Sequence, residues 1–246
     1  SCSLVGSEMC IRDSLKPTNF DPSKRYPVVM SQYSGPGSQS VLDKWTIDWE
    51  YYLVSKGFIV ACVDGRGTGG RSRAYETSVY MQLGKLETED QVAGAEYMRT
   101  LPYVDDKHIG IYGWSYGGYE TLMAMSTSNG TYQAGVAIAP VTDWRYYDTI
   151  YAERFMRTPN ENNEGYEQSA PITHAEKLKG DLLIISGTAD DNVHYLNTLQ
   201  YSAALIEAGI QFDTQIYTNK DHHIRGCNTR HHLYTKVCNF FLDKLK

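Results

Sequence analysis

The chain has 246 residues, of which 41% are hydrophobic and 21% charged, a composition ordinary for a globular protein with room for one large α/β domain or two small ones. Its formal net charge of −6 argues against a nucleic-acid partner, whose phosphates demand a basic face. No apolar run reaches the roughly 20 residues that cross a bilayer.

Residues 1–14, SCSLVGSEMCIRDS, match nothing that follows. They lack the basic start and long apolar core of a signal peptide. They look like read-through of a sequencing adapter, a non-native leader. They are set aside, the domain is taken as 15–246, and the natural chain is expected to extend further towards its N-terminus. Strand and helix patterns then alternate. Tyr26–Gln32 is a short apolar strand run that ends at the turn-rich YSGPGSQ. Asp48–Lys56 carries apolar residues at helical spacing. Phe58–Val63 reads as a buried strand closed by DGRGTGG. Glu87–Thr100 reads as a helix, with acids in its first turn and Val92, Ala95 and Met98 along one face. His108–Tyr112 is a strand, followed at once by GWSYGGYE and the helical TLMAMST. Gln133–Ala139 is a strand, and 144–157 is aromatic and irregular. Thr158–Gln168 reads as a polar loop inserted in the domain. Leu182–Ser186 is a strand, Tyr195–Ala208 an amphipathic helix, Phe212–Tyr217 a strand and Thr229–Leu245 a closing helix. Strands alternating with helices predict βαβ units and a mostly parallel sheet, an α/β fold.

Gly113-Trp114-Ser115-Tyr116-Gly117 is G-x-S-x-G between a strand pattern and a helix pattern. In that context it predicts the strained turn of an α/β-hydrolase, with the serine hydroxyl exposed. The turn also aims the Tyr116 N–H at a developing oxyanion. A serine needs a base, and the base an orienting acid, in the order Ser, Asp, His. The loop after LLIIS offers Asp190 and Asp191. The loop after FDTQIYT offers His222 and His223. Spacing alone does not choose within either pair.

Other features carry less. His222-His223 with His231-His232 lacks a spaced acid or cysteine to complete a metal site. GRGTGG at 65–70 matches a dinucleotide fingerprint formally, but no apolar helix follows and no acid ends a second strand, so it reads as a mobile glycine-rich loop. Asn129-Gly130-Thr131 is a glycosylation sequon, of consequence only in a eukaryotic secretory route. The five cysteines form no CxxC and no disulfide framework. The 20 tyrosines suit a lined binding surface. No cofactor is expected.

GWSYGGY, APVTDWRYYDTIYAERFM and GTADDNVH, in that order, resemble the catalytic domain of the prolyl oligopeptidase family of serine peptidases. The resemblance runs from about Lys16 to the C-terminus. It implies Ser115 as nucleophile, Asp190 as orienting acid and His222 as general base. It implies Tyr33 as an oxyanion donor beside the Tyr116 N–H. It further implies that Tyr116, Val141, Trp144, Tyr147, Tyr151 and Val193 line the pocket for the residue before the cut, and that Asn192 and Arg154 meet the substrate backbone. An aromatic box suits a flat apolar proline ring. In this family a β-propeller precedes the hydrolase domain and binds the substrate's amino terminus; that part is expected to be missing here. The expected activity is release of Xaa-Pro dipeptides in the full-length protein, from a peptide with proline in second position. A homodimer and an extracytoplasmic location are implied with it. The alternatives are an acyl-peptide hydrolase or esterase of the same fold, or an inactive binding module.

Overall fold

The computed structural model describes residues 12–42 and 48–246, so Cys2 and Cys10 of the leader lie outside the described residues. Seven strands form one sheet in the order β1 (Arg12–Leu15), β3 (Ile59–Val63), β2 (Tyr26–Ser31), β4 (Val104–Trp114), β5 (Ala134–Ile138), β6 (Asp181–Gly187) and β7 (Asp213–Tyr217). Every neighbouring pair is parallel except β1 with β3. The helices are α1 (Glu50–Ser55), α2 (Arg73–Glu76), α3 (Lys85–Arg99), α4 (Tyr116–Thr127), α5 (Thr149–Met156), α6 (Asn163–Gln168), α7 (Leu196–Glu207) and α8 (Thr229–Lys244).

Parallel strands need crossovers, and the crossover helices cover both faces of the sheet. On one face Met30, Ile111 and Ile184 meet Ala95 and Met98 of α3, Leu122 and Met125 of α4, and Tyr201 and Leu205 of α7. On the other, Val29, Val136 and Ile185 meet Leu53 of α1 and Leu233, Val237 and Phe241 of α8. Consecutive residues such as Val29 and Met30 thus serve opposite layers, as the two-residue period of a strand requires. Burial on both faces explains why β5 and the Leu182–Ile185 run of β6 are apolar rather than alternating. Helix α8 lies so close that a Cβ on Gly110 would stand 2.9 Å from the Phe241 ring.

Four expectations need correction. The segment 144–157 is not irregular throughout: α5 occupies its second half, started by the Asp148 side chain, which accepts the Tyr151 N–H at 2.7 Å. The polar loop 158–168 contains α6. Residues 12–14, set aside with the leader, pair with β3 from Arg12 opposite Val63 to Leu15 opposite Val60. An open sheet edge offers unpaired backbone groups to any extended segment, so this pairing asks little of side-chain pattern. The 65–70 loop is also bonded rather than loose: Arg66 clasps Asp90 through Nε and Nη2, and Gly69 N donates to Ser38 O at 2.7 Å.

Phe241 is fully buried against the sheet. Phe241→Ala should cost about 3–5 kcal/mol and lower the melting temperature by roughly 10 °C or more. A shift under about 2 °C in thermal unfolding would contradict this packing.

Candidate active site

Strand β4 ends at Trp114 and α4 begins at Tyr116, so a single residue makes the turn. Ser115 has φ 60° and ψ −115°, a conformation that is costly for a residue with a Cβ and that persists only when its surroundings impose it. Its N–H donates to Ile138 O at 2.8 Å, and its carbonyl accepts the Tyr119 N–H at 2.9 Å. The glycines of the motif are obligatory here. A Cβ on Gly113 would lie 2.1 Å from Gly117 O, and one on Gly117 would lie 2.5 Å from Gln32 O. The turn thus presses strand, helix and β2 together and leaves the serine half-buried at the carboxyl end of the sheet.

The partners come from the loops after β6 and β7. Asp190 Oδ2 meets His222 Nδ1 at 2.7 Å, and both residues are buried. The other oxygen, Oδ1, accepts the N–H groups of Asn192 at 3.0 Å and Val193 at 2.9 Å. A carboxylate so held fixes the imidazole's orientation and leaves Nε2 for the serine proton. Asp191 and His223 are exposed, which separates the two pairs that spacing leaves open. The two loops are tied to each other: Ala189 N donates to Lys220 O at 3.0 Å, and Asn219 N to Thr188 Oγ1 at 2.9 Å. Trp114 was not singled out from the sequence. Its indole N–H donates to His222 O at 3.0 Å and joins the histidine loop to the serine turn.

Tyr33 follows β2, and its hydroxyl is within hydrogen-bonding reach of Ser115. Burial raises its pKa, so the phenol stays a neutral donor. Tyr116 sits with its backbone N–H at the start of α4, where helix N–H groups have no intrahelical acceptor. The residues expected to line the pocket form one cluster: Tyr116, Val141, Trp144 and Val193 are buried together, with Tyr147 and Tyr151 packed against them. Trp144 stands at the centre, 5.5 Å from Tyr116, 5.9 Å from Tyr147 and 5.8 Å from Tyr151 between ring centroids. Asn192 is exposed and accepts the Tyr147 hydroxyl at 2.7 Å, which links the aromatic wall to the aspartate loop. Arg154 is exposed on α5, near enough to Tyr151 for its charge to act on that hydroxyl. A separate cavity of about 710 Å³ at the β1 edge, lined by Arg66, Asp90 and Tyr97 among others, contains none of these residues. Among the described residues no group of three His, Cys, Asp or Glu is placed to hold a metal ion. His232 instead bonds the Tyr217 hydroxyl at 2.8 Å. Cys62, Cys227 and Cys238 are free.

Two buried glutamates stand behind the aromatic wall. Glu87 Oε1 accepts the Tyr116 hydroxyl at 2.8 Å and Oε2 accepts the Gly84 N–H at 3.1 Å. Glu120 Oε1 accepts from Thr88 Oγ1 at 2.8 Å. In the sequence Glu87 is only a first-turn acid, and Glu120 falls inside a helix pattern; neither signals burial. Desolvation pushes Glu87 up to about 7, and desolvation followed by the nearby Glu87 charge pushes Glu120 well above the usual carboxylate range.

A carboxyl whose pKa rises on folding holds its proton more tightly in the folded chain. The folded state therefore loses stability as pH climbs from 4.5 to about 7, and gains no further loss from this group above that. The melting temperature should fall across that interval, and Glu87→Gln should flatten the fall. A variant profile parallel to that of the unaltered chain would contradict the account.

The sequence and the fold can be set beside known proteins. The family model described as "Prolyl oligopeptidase family" matches residues 45–246. Dipeptidyl peptidase 4 of Sus scrofa is 42% identical over 228 residues, which cover 91% of this chain and 30% of that protein. Prolyl endopeptidase FAP of Mus musculus is 41% identical, with the same 91% and 30% covered. The crystal structure of Porphyromonas gingivalis dipeptidyl peptidase 4 superposes with a TM-score of 0.94 at 56% identity, covering 95% of this chain and 33% of that one. The chain thus spans about a third of the length of these relatives. The sheet with its crossover helices is an α/β-hydrolase fold, and the chain belongs to the prolyl oligopeptidase family.

Proposed function

We propose that residues 15–246, with β1 completing the sheet edge, are the catalytic domain of a serine peptidase that cuts after proline or alanine and, in the whole protein, releases Xaa-Pro dipeptides. The observation that carries this reading is the buried Asp190–His222 pair, 2.7 Å apart and tied through Trp114 to the serine turn. Ser115 attacks the carbonyl carbon of the residue in the aromatic pocket while His222 Nε2 takes its proton. Asp190 holds the imidazole tautomer and stabilises the imidazolium. The Tyr33 hydroxyl and Tyr116 N–H receive the oxyanion. His222 then protonates the leaving amine, and water, activated by the same base, releases the acyl group. Tyr116, Val141, Trp144, Tyr147, Tyr151 and Val193 enclose the proline ring, and Asn192 and Arg154 contact the substrate backbone. The names of two relatives specify dipeptidyl peptidases and of a third a prolyl endopeptidase, and the family description is itself prolyl, which supports the dipeptide product and the proline preference respectively. No cofactor enters this mechanism. An extracytoplasmic location is proposed with it, on the strength of the family.

A panel of p-nitroanilides and p-nitrophenyl esters tests the substrate class. Gly-Pro-p-nitroanilide should be turned over faster than the Gly-Leu amide and be preferred over simple esters in kcat/KM; the reverse order would point to an esterase. Ser115→Ala and Asp190→Asn should each lower kcat by roughly 10⁴-fold or more. Tyr33→Phe should lower kcat by about 10²–10³-fold, and unchanged turnover would remove it from the oxyanion site.

The proposed homodimer has support on α7. Leu196, Leu199, Ala203 and Ile206 recur at coiled-coil spacing along its outer side, and all are exposed, Ile206 to 68%. Leu199→Glu with Ile206→Glu should convert a dimer to a monomer in light scattering. An unchanged mass would place the contact elsewhere.

A further inference from the structure

Tyr33 lies between two buried polar residues. Gln32 is 5% exposed and Ser34 1%, whereas Tyr33 itself is 39% exposed. The alternation turns the tyrosine towards Ser115 and its neighbours inward. Inside, their side chains form a directed chain of hydrogen bonds. Gln91 Nε2 of α3, fully buried, donates to Ser34 Oγ at 3.1 Å and to Val63 O at 2.9 Å. Ser34 Oγ donates to Gln32 Oε1 at 2.9 Å. Gln32 Nε2 donates to Gly117 O at 2.8 Å and to Thr121 Oγ1 at 3.3 Å. The chain therefore runs from β3 and α3, behind Tyr33, to the backbone one residue beyond Tyr116.

Buried polar groups carry a desolvation cost that apolar residues of similar shape avoid. Packing alone gives no reason for three such side chains in a row. What they supply is direction: each bond fixes a donor against an acceptor, and the series spans the two groups proposed to receive the oxyanion. Ser34 has φ 63°, unusual for a residue with a Cβ and a sign that surrounding bonds impose the turn. Behind it, Gly37 N donates to Gly67 O at 2.9 Å, which closes the loop against the 65–70 segment.

We propose that Gln32, Ser34 and Gln91 are positioning residues that set the Tyr33 hydroxyl against Ser115 and the Tyr116 N–H. The proposal rests on the reading of Tyr33 as an oxyanion donor. Ser34 is the link whose loss breaks the chain while leaving the residues at either end in place.

A double-mutant cycle on the full chain tests it, with Gly-Pro-p-nitroanilide as substrate. Ser34→Ala should lower kcat roughly tenfold with little change in KM, because a displacement of a fraction of an ångström at the donor weakens only the transition state. In the Tyr33→Phe background the same substitution should lower kcat by less than about twofold, since the group being positioned is gone. Ser34→Gly tolerates the φ of this turn and should behave in the same way, which guards against a folding defect in Ser34→Ala. Equal losses in both backgrounds would make the network merely structural and overturn the proposal. No loss in either would also overturn it. If Tyr33→Phe alone leaves turnover unchanged, the oxyanion reading fails first, and that result is distinct from the other two.

Discussion

The close approach of three backbones around Ser115 is the constraint on which the site depends. Gly113 and Gly117 meet within a space that a single Cβ would occupy, and Gly117 also meets Gln32 O. Gly118 lies equally close to Ile138 O of β5. With those contacts in place the turn can hold one residue, and that residue is driven to φ 60°. The strain is offset by the bonds Ser115 makes to Ile138 and Tyr119 and by the buried helix that follows. Because β2, β4 and β5 all contribute, the position of the serine is a property of the sheet rather than of a loop. Sites built on such rigid elements keep their geometry without reorganisation during the reaction.

The parallel sheet then accounts for where the partners stand. All parallel strands end on one side, and the loops after β2, β4, β6 and β7 gather there, the usual place for chemistry in open α/β sheets. Tyr33, Ser115, Asp190 and His222 each come from one of those ends. The aromatic wall rises from the segment after β5, where α5 carries Tyr151 and a 3₁₀ turn carries Trp144. Behind Tyr33 and Tyr116, the two groups proposed to receive the oxyanion, the protein buries polar groups instead of apolar ones: the Gln32–Ser34–Gln91 series behind Tyr33, and Glu87 with Glu120 behind Tyr116. Such groups cost stability unless bonded, and their concentration at this one end agrees with a site favoured over the stability of the whole.

Much of this was legible in the sequence, for identifiable reasons. Buried parallel strands read as apolar runs, so β2 to β6 stand out within a residue or two, β4 excepted at its polar start, while the edge strand β7, DTQIY, is largely exposed and stood out only by its place in the strand–helix alternation. The G-x-S-x-G turn was legible because its glycines answer to a steric demand that no other residue meets. Asp190 and His222 were readable as loop residues, but the choice over Asp191 and His223 is made by burial, which spacing does not encode. The helix in 144–157 was hidden by its aromatic content, although Asp148 three residues before the Tyr151 N–H is a capping signal in plain view. Strand β1 was missed because Arg12–Ser14 were set aside with the leader, and its four half-buried residues offer no apolar period to argue against that. Glu87, Glu120 and Gln91 were illegible as site residues. Each sits in a helix pattern where charged and amide residues are expected at the surface, and only tertiary packing brings them inside, α3 against α4 for the two glutamates and α3 against the ends of β2 and β3 for Gln91.

The central claim is that Ser115 is an activated nucleophile facing an assembled oxyanion site. It is tested most directly by reacting the folded protein with a fluorophosphonate and mapping the adduct by mass spectrometry. The account predicts one adduct, on Ser115, formed at a rate that falls steeply when His222 is replaced by alanine. A folded chain that takes up no reagent, or that is labelled at another serine, would contradict it.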